Sequence, residues 1–420
     1  MDKFVIYQSK LFGSVRVSGS KNAALPIIAA TILTDEECVI HNVPDLRDIQ
    51  TMLAILQSLG KSVEFKNGTL TIGSKPNKSF LAPYRLVKTM RASFCFLGPL
   101  LAKRKKAKVA LPGGCIIGPR PVDLHIKGLR ALGAEIFIQN GYCHAQAKEL
   151  VGQHIYLGGA FGSSVLATDN VLMAAVLASG ETIIEYAACE PEVEALALFL
   201  KKMGADINGI GSPVLRIKGV KSLFGCEFTI IPDRIEAGTF IAASLATRSK
   251  LTIEGANPFH LTSVLETARR IGAKINIGPD FSIEINPTSN LKPVNITTLA
   301  YPGFPTDLQA QFMACLCLAS GISLITEKIY PDRFMHVPEL NRMDASIQRS
   351  GPYAIIEGKD KLCGAEVMAS DLRASAALVL AGLTAEGKTQ VLRVYHIDRG
   401  YEQIEHKFRK LGAKIKREKQ

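Results

Sequence analysis

Stretches with apolar residues at helical spacing close on a glycine in this chain and give way at once to alternating apolar and polar positions. The junction reads Leu59-Gly-Lys-Ser-Val63, Leu132-Gly-Ala-Glu-Ile136, Met203-Gly-Ala-Asp-Ile207, Ile271-Gly-Ala-Lys-Ile275, Met343-Asp-Ala-Ser-Ile347 and Leu411-Gly-Ala-Lys-Ile415. From Gly60 through Gly133, Gly204, Gly272, Asp344 and Gly412 the intervals are 73, 71, 68, 72 and 68 residues. Near-equal spacing over six copies marks an internal repeat. Each junction reads as a helix stopping on a left-handed residue, followed by a strand such as Lys274-Ile-Asn-Ile277. Asp344 replaces glycine once, and aspartate is among the few residues tolerated there.

A second helix type precedes each junction, over residues 21–30, 91–100, 168–175, 236–243, 306–313 and 371–378. These segments are rich in Ala, Gly and Ser, and several are apolar on most sides, which predicts helices packed inside a layer. Polar residues gather at their starts: Lys21 with Asn22, Arg91, Asp169, Glu236, Asp307, and Asp371 with Arg373. Asp169 and Glu236 read as ordinary caps. Cations are disfavoured at that end of a helix, so Lys21, Arg91 and Arg373 point to bound phosphate or carboxylate.

Composition narrows the class. The 420 residues, 47% apolar and 21% charged, suit a soluble globular protein of two or three domains. No apolar run is long enough to span a bilayer, and the first residues lack a signal-peptide layout. Nine cysteines without paired ligand spacing, and eight unclustered histidines, predict a reducing cytoplasmic setting, mostly inert thiols, no metal and no cofactor. The net charge of +12 suits anionic partners. Its densest runs, 103–108 and 407–417, read as solvated faces. With no tryptophan and no aromatic residues among the basic ones, stacking on single-stranded nucleic acid is unsupported.

The segment Leu111-Pro-Gly-Gly-Cys-Ile-Ile-Gly-Pro-Arg-Pro-Val-Asp-Leu-His125 breaks helix and ladder alike and predicts a surface loop. It carries Cys115 beside Arg120. A thiol near a fixed cation can serve as nucleophile or proton donor, while a buried inert thiol is the plainer alternative.

Together these segments resemble the enolpyruvyl transferases, in particular the branch acting on UDP-N-acetylglucosamine. Matching stretches are residues 18–23, 113–125, 304–312, 332–339, 371–375 and 398–401, so the resemblance covers essentially the whole chain. It implies an inside-out α/β architecture, an α/β barrel of two domains with three units each. One domain would span 22–231 and carry the Cys115 loop; the other would join 1–21 to 232–420. The site would lie in the cleft, under the Cys115 loop.

The implied reaction moves the enolpyruvyl group of phosphoenolpyruvate to the sugar 3′-hydroxyl of UDP-N-acetylglucosamine and releases phosphate, opening peptidoglycan synthesis. Cys115 matches the family's proton donor and Asp307 its candidate base. Lys21, Arg120 and Arg399 would hold phosphoenolpyruvate, with Arg373 adding charge. Asn22 would bond near the reacting centre. Arg91, Arg120, Pro121, Val122, Asp123, Leu124, Ser164, Val165 and Ile329 would face the nucleotide sugar, and Arg333 would position. A cysteine at 115 further implies sensitivity to fosfomycin.

The sister enzyme that uses shikimate 3-phosphate shares the repeat; the Cys115 loop and the run through His125 favour the nucleotide sugar. A basic DNA-encircling clamp is also built of repeated α/β units, but leaves Cys115 and the Asp307 helix start unexplained.

Overall fold

A computed structural model describes residues 2–76, 78–87, 90–111, 122–160 and 162–419, excluding the side chain of Arg91. Its architecture follows from one repeated unit. Strand Ile296–Thr297 leads through helix Gln309–Leu316 to the parallel strand Ile322–Thr326; helix Val337–Asn341 and the hairpin Ser346–Ser350/Tyr353–Glu357 complete the unit. Two parallel strands need a crossover, which the first helix supplies. Six such four-stranded sheets are present among the described residues.

The contacts divide the described residues into two units, one holding the chain up to Ser18 and from Pro232 onward, the other running from Gly19 to Ile231. Lys21 belongs to the second. Several sheets are closed by distant strands. Ser14–Arg16 pairs with Leu251–Glu254, and Glu227–Thr229 with Cys38–His41. Asp2–Tyr7 lies between Lys388–Leu392 and Lys414–Lys419, setting Phe4 opposite Val391 and Ile6 opposite Ile415.

The repeated junctions fold as their sequence dictates. Gly60, Gly133, Gly204, Gly272, Asp344 and Gly412 all have positive φ, from 66° at Asp344 to 123° at Gly272. Each is followed within two residues by a strand, such as Lys61–Lys66 or Ala273–Ile277. Left-handed backbone ends the helix and turns the chain into the sheet.

The Ala-rich helices sit inside and the sheets outside. In Leu372–Thr384 every residue after Leu372 is buried. In the unit joining the two chain ends it packs against Arg234–Thr247 and Gln309–Leu316. In the Gly19–Ile231 unit, Lys21–Ala30 and Leu97–Arg104 both contact Val165–Ala175. Small residues permit the close approach: a Cβ on Gly98 would stand 2.2 Å from the Asn170 carbonyl oxygen. Sheets alternate instead, as in Val214–Lys218, where Leu215 and Ile217 face inward. No helix among the described residues is long and apolar enough to cross a membrane.

Candidate active site

In the unit joining the chain ends, Asp307 occupies a short 3₁₀ turn, Thr306–Leu308, after Pro305. One carboxylate oxygen meets Arg333 at 2.7 Å and the other meets Arg373 at 3.1 Å. Arg373 sits in the first turn of Leu372–Thr384, capped by Asp371, which accepts N–H bonds from Arg373 and Ala374. The Arg373 guanidinium lies over the Tyr401 ring at 5.4 Å. Gln311 donates to the Tyr401 hydroxyl at 3.0 Å, and that hydroxyl also bonds Thr239 at 2.8 Å.

Burial alone would raise the Asp307 pKa, but the charges of Arg373 and Arg333 override it and hold the carboxyl well below the usual range. Burial likewise works against the Arg373 charge, and Asp307 reverses that. Two buried guanidinium groups around one carboxylate favour a bound anion and a fixed geometry.

His336 is buried beside Arg333 and Asp371, and its Nε2 has no hydrogen-bond partner. Burial, with Arg333 adding to it and Asp371 opposing, brings its pKa from 6.5 down to about 4. Between these values the unfolded chain binds the extra proton, so stability rises with pH across this window and is lost toward pH 4. The loss amounts to about 3 kcal/mol for this group alone. Urea midpoints at pH 7 and 4.5 should therefore converge in His336→Gln relative to wild type; an unchanged difference would assign the acid sensitivity elsewhere.

In the Gly19–Ile231 unit, Ser20 caps Lys21–Ala30, and the Lys21 ammonium lies 3.0 Å from the Asp48 carboxylate, both nearly buried. Asn22 is half-buried in the same turn. Val122, Asp123 and Leu124 open the helix Asp123–Ala131. Ser164 caps Val165–Ala175, accepting from the Ala167 N–H and keeping its own proton to donate. Leu166 packs against that unit's core.

Of the residues singled out in the sequence, Asp307 is brought into direct contact with both Arg333 and Arg373. Ile329 follows the strand Ile322–Thr326, and Arg399 ends the 3₁₀ turn Val394–Arg399 of the same unit. Cys115, Arg120, Pro121 and the Arg91 side chain lie outside the described residues. The helix-start cations have carboxylate partners: Lys21 has Asp48 and Arg373 has Asp307. Asp48 carried no local signal, and Tyr401 and His336, though inside the matching stretches 398–401 and 332–339, had no role assigned, because their partners are remote in sequence.

Two expectations are corrected. Asp169 and Glu236 are not caps; Ser164 and Asp233 hold those positions, one residue before each helix. Asp169 is buried inside its helix without a hydrogen-bond partner, while Glu236 accepts from the Ser18 N–H and Lys407. The C-terminal basic run is not simply solvated, since Arg417 pairs with Asp398 and Glu405. Among the described thiols, donation by the side chain of Cys226 lowers the pKa of the fully buried Cys38, whereas burial pushes Cys143 up to about 11.

The sequence model of the EPSP synthase family (3-phosphoshikimate 1-carboxyvinyltransferase) matches residues 5–408. A UDP-N-acetylglucosamine 1-carboxyvinyltransferase of Methylacidiphilum infernorum is 56% identical over 418 residues, covering 99% of each chain. The chain belongs to the UDP-N-acetylglucosamine 1-carboxyvinyltransferase family. A second relative of that name, from Desulfosudis oleivorans, is 50% identical with 99% of both chains covered. Among solved enolpyruvyl transferases, NikO from Streptomyces tendae superposes with a TM-score of 0.90 at 24% identity, over 99% of this chain and 98% of its own. EPSP synthase from Acinetobacter baumannii gives 0.77 at 20% identity over both full chains. These two share the fold with the UDP-N-acetylglucosamine 1-carboxyvinyltransferases. The much higher identity to the nucleotide-sugar relatives separates this chain from the shikimate branch.

Proposed function

We propose that this enzyme transfers the enolpyruvyl group of phosphoenolpyruvate to the 3′-hydroxyl of UDP-N-acetylglucosamine with release of phosphate, in the cytoplasm, as the first committed step of peptidoglycan synthesis. The observation that carries the reading is full-length identity above 50% to enzymes of that name. The Asp307, Arg333 and Arg373 cluster is consistent with it.

The hydroxyl oxygen bonds to the central carbon of phosphoenolpyruvate while the methylene carbon takes a proton. Loss of phosphate from the central carbon and of one proton from the new methyl group restores the double bond. Cys115 would deliver the first proton and Asp307 would take the hydroxyl proton. Asp307 clamped by two arginines is a weak base. It gains proton affinity once a substrate anion draws one guanidinium away, which couples substrate binding to deprotonation.

Lys21, held beside Asp48, would bind phosphoenolpyruvate with Arg120 and Arg399. Asn22 would sit near the reacting centre. Arg91, the Arg120–Leu124 run, Ser164, Val165 and Ile329 would face the nucleotide sugar. The three-unit domains form part of the same reading, with the first boundary moved from residue 21 to Ser18 so that Lys21 joins the 19–231 domain.

Phosphate release from phosphoenolpyruvate should require UDP-N-acetylglucosamine and fail with shikimate 3-phosphate. Cys115→Ser should abolish it. Release with shikimate 3-phosphate would assign the enzyme to the sister branch. Fosfomycin should inactivate the wild type in a time-dependent way, and full activity after prolonged exposure would rule out a reactive thiol at 115.

A further inference from the structure

Glu327 is fully buried and is not among the residues placed in the reaction above. Its carboxylate carries four hydrogen bonds and, among the described residues, no direct cation. Oε1 accepts from the Thr298 hydroxyl at 2.6 Å, the Ile329 N–H at 2.9 Å and the Tyr330 N–H at 3.0 Å. Oε2 accepts from the Thr306 hydroxyl at 3.0 Å. A buried carboxylate with this many neutral donors fixes whatever carries them.

Both threonines have a fixed polarity. The Thr306 hydroxyl accepts from Arg333 Nη1 at 3.1 Å, so its single proton is committed to Glu327. Arg333 uses the same nitrogen to meet Asp307 at 2.7 Å. The Thr298 hydroxyl accepts from the Lys328 N–H at 3.0 Å, so its proton too is committed to Glu327. One oxygen therefore governs the Lys328–Tyr330 backbone, directly and through Thr298. The other governs Thr306, Arg333 and through them Asp307.

We infer that Glu327 is a positioning residue that sets two halves of the site at once: the Arg333 guanidinium against Asp307, and the Ile329 backbone against the nucleotide sugar. The inference rests on the roles given to Asp307 and Ile329 above. A buried acid serving only to fold the strand end would not separate these halves; a positioning residue with two arms does.

Thr306→Val and Thr298→Val each cut one arm while keeping side-chain shape. Steady-state kinetics of the full chain, with circular dichroism to confirm folding, read each arm. In Thr306→Val, kcat should fall about tenfold with KM for UDP-N-acetylglucosamine within twofold. In Thr298→Val, that KM should rise about fivefold with kcat within twofold. In Glu327→Gln the amide oxygen can keep the Thr298, Ile329 and Tyr330 bonds, while the amide nitrogen takes from Thr306 the acceptor of its proton, so this variant should follow Thr306→Val in milder form. Wild-type constants in both threonine variants, or parallel changes in kcat and KM, would overturn the inference.

Asp307→Asn in the same assay separates the readings. If it loses turnover while Thr306→Val does not, the Glu327 inference fails alone. If it turns over normally, the base assignment fails, and the KM of Thr298→Val still decides the role of Glu327.

Discussion

Asp307→Asn is expected to lower kcat about 10³-fold, within the range for loss of a general base. The same change should reduce stability by about 3 kcal/mol, because Arg333 and Arg373 lose their shared counter-charge in a largely buried setting. The lower end of that range applies, since a quarter of the Asp307 side chain is exposed. Asparagine keeps the shape but turns one arginine contact into donor against donor. The sign with pH follows from the depressed carboxyl: its contribution is present above the ordinary aspartate value of 3.8 and is lost as pH falls below it. The stability gap between variant and wild type should thus be full at pH 7 and narrow near pH 3. Phosphate release and urea midpoints measure the two effects separately. A kcat within threefold of wild type would remove Asp307 from proton transfer.

A large effect on folding is expected from Gly98→Ala. The added carbon would lie 2.2 Å from the Asn170 carbonyl oxygen and 2.9 Å from its side-chain oxygen. Neither atom can yield cheaply. Asn170 is fully buried and knots three elements together: it accepts from the Gly98 N–H at 2.8 Å, donates to the Phe94 carbonyl at 3.0 Å, and meets His125 Nδ1 at 2.8 Å. Overpacking plus a strained buried amide should cost about 4 kcal/mol. Gly382→Ala supplies the contrast. Its carbon would approach only side-chain atoms, at 3.2–3.3 Å, and alanine's better helix propensity offsets the crowding to within about 1 kcal/mol. Similar urea midpoints for the two variants would contradict the close crossing of Leu97–Arg104 against Val165–Ala175.

What the sequence makes legible here is what is local. A helix that ends on glycine and restarts as a strand announces itself within five residues, and even Asp344 adopts the left-handed backbone. A cation at a helix start is electrostatically out of place, which made Lys21 and Arg373 visible as site residues. Their pairings were not visible, because Asp48 and Asp307 lie on other elements, although Asp307 was itself marked as a candidate base. Capping misled for a similar reason: an acid one turn into a helix looks like a cap until the backbone shows that Asp233 and Ser164 already fill that place. Glu327 was hidden altogether. Two of its four donors lie 21 and 29 residues away, so no spacing rule could join them.

The pairing of Asp2–Tyr7 between Lys388–Leu392 and Lys414–Lys419 sets an order of events during synthesis. This strand leaves the ribosome long before either of its neighbours. At translation speeds of roughly 5–20 residues per second, it waits for roughly 20–80 s. Ser14–Arg16 waits as well, until Leu251–Glu254 emerges. The Gly19–Ile231 unit needs nothing from beyond Ile231 to complete its three sheets. It can be folded while the segment before it still hangs unpaired, an apolar strand with open backbone on both edges. Chaperone demand for this chain should therefore concentrate on its first eighteen residues, and on the later half, not on the middle.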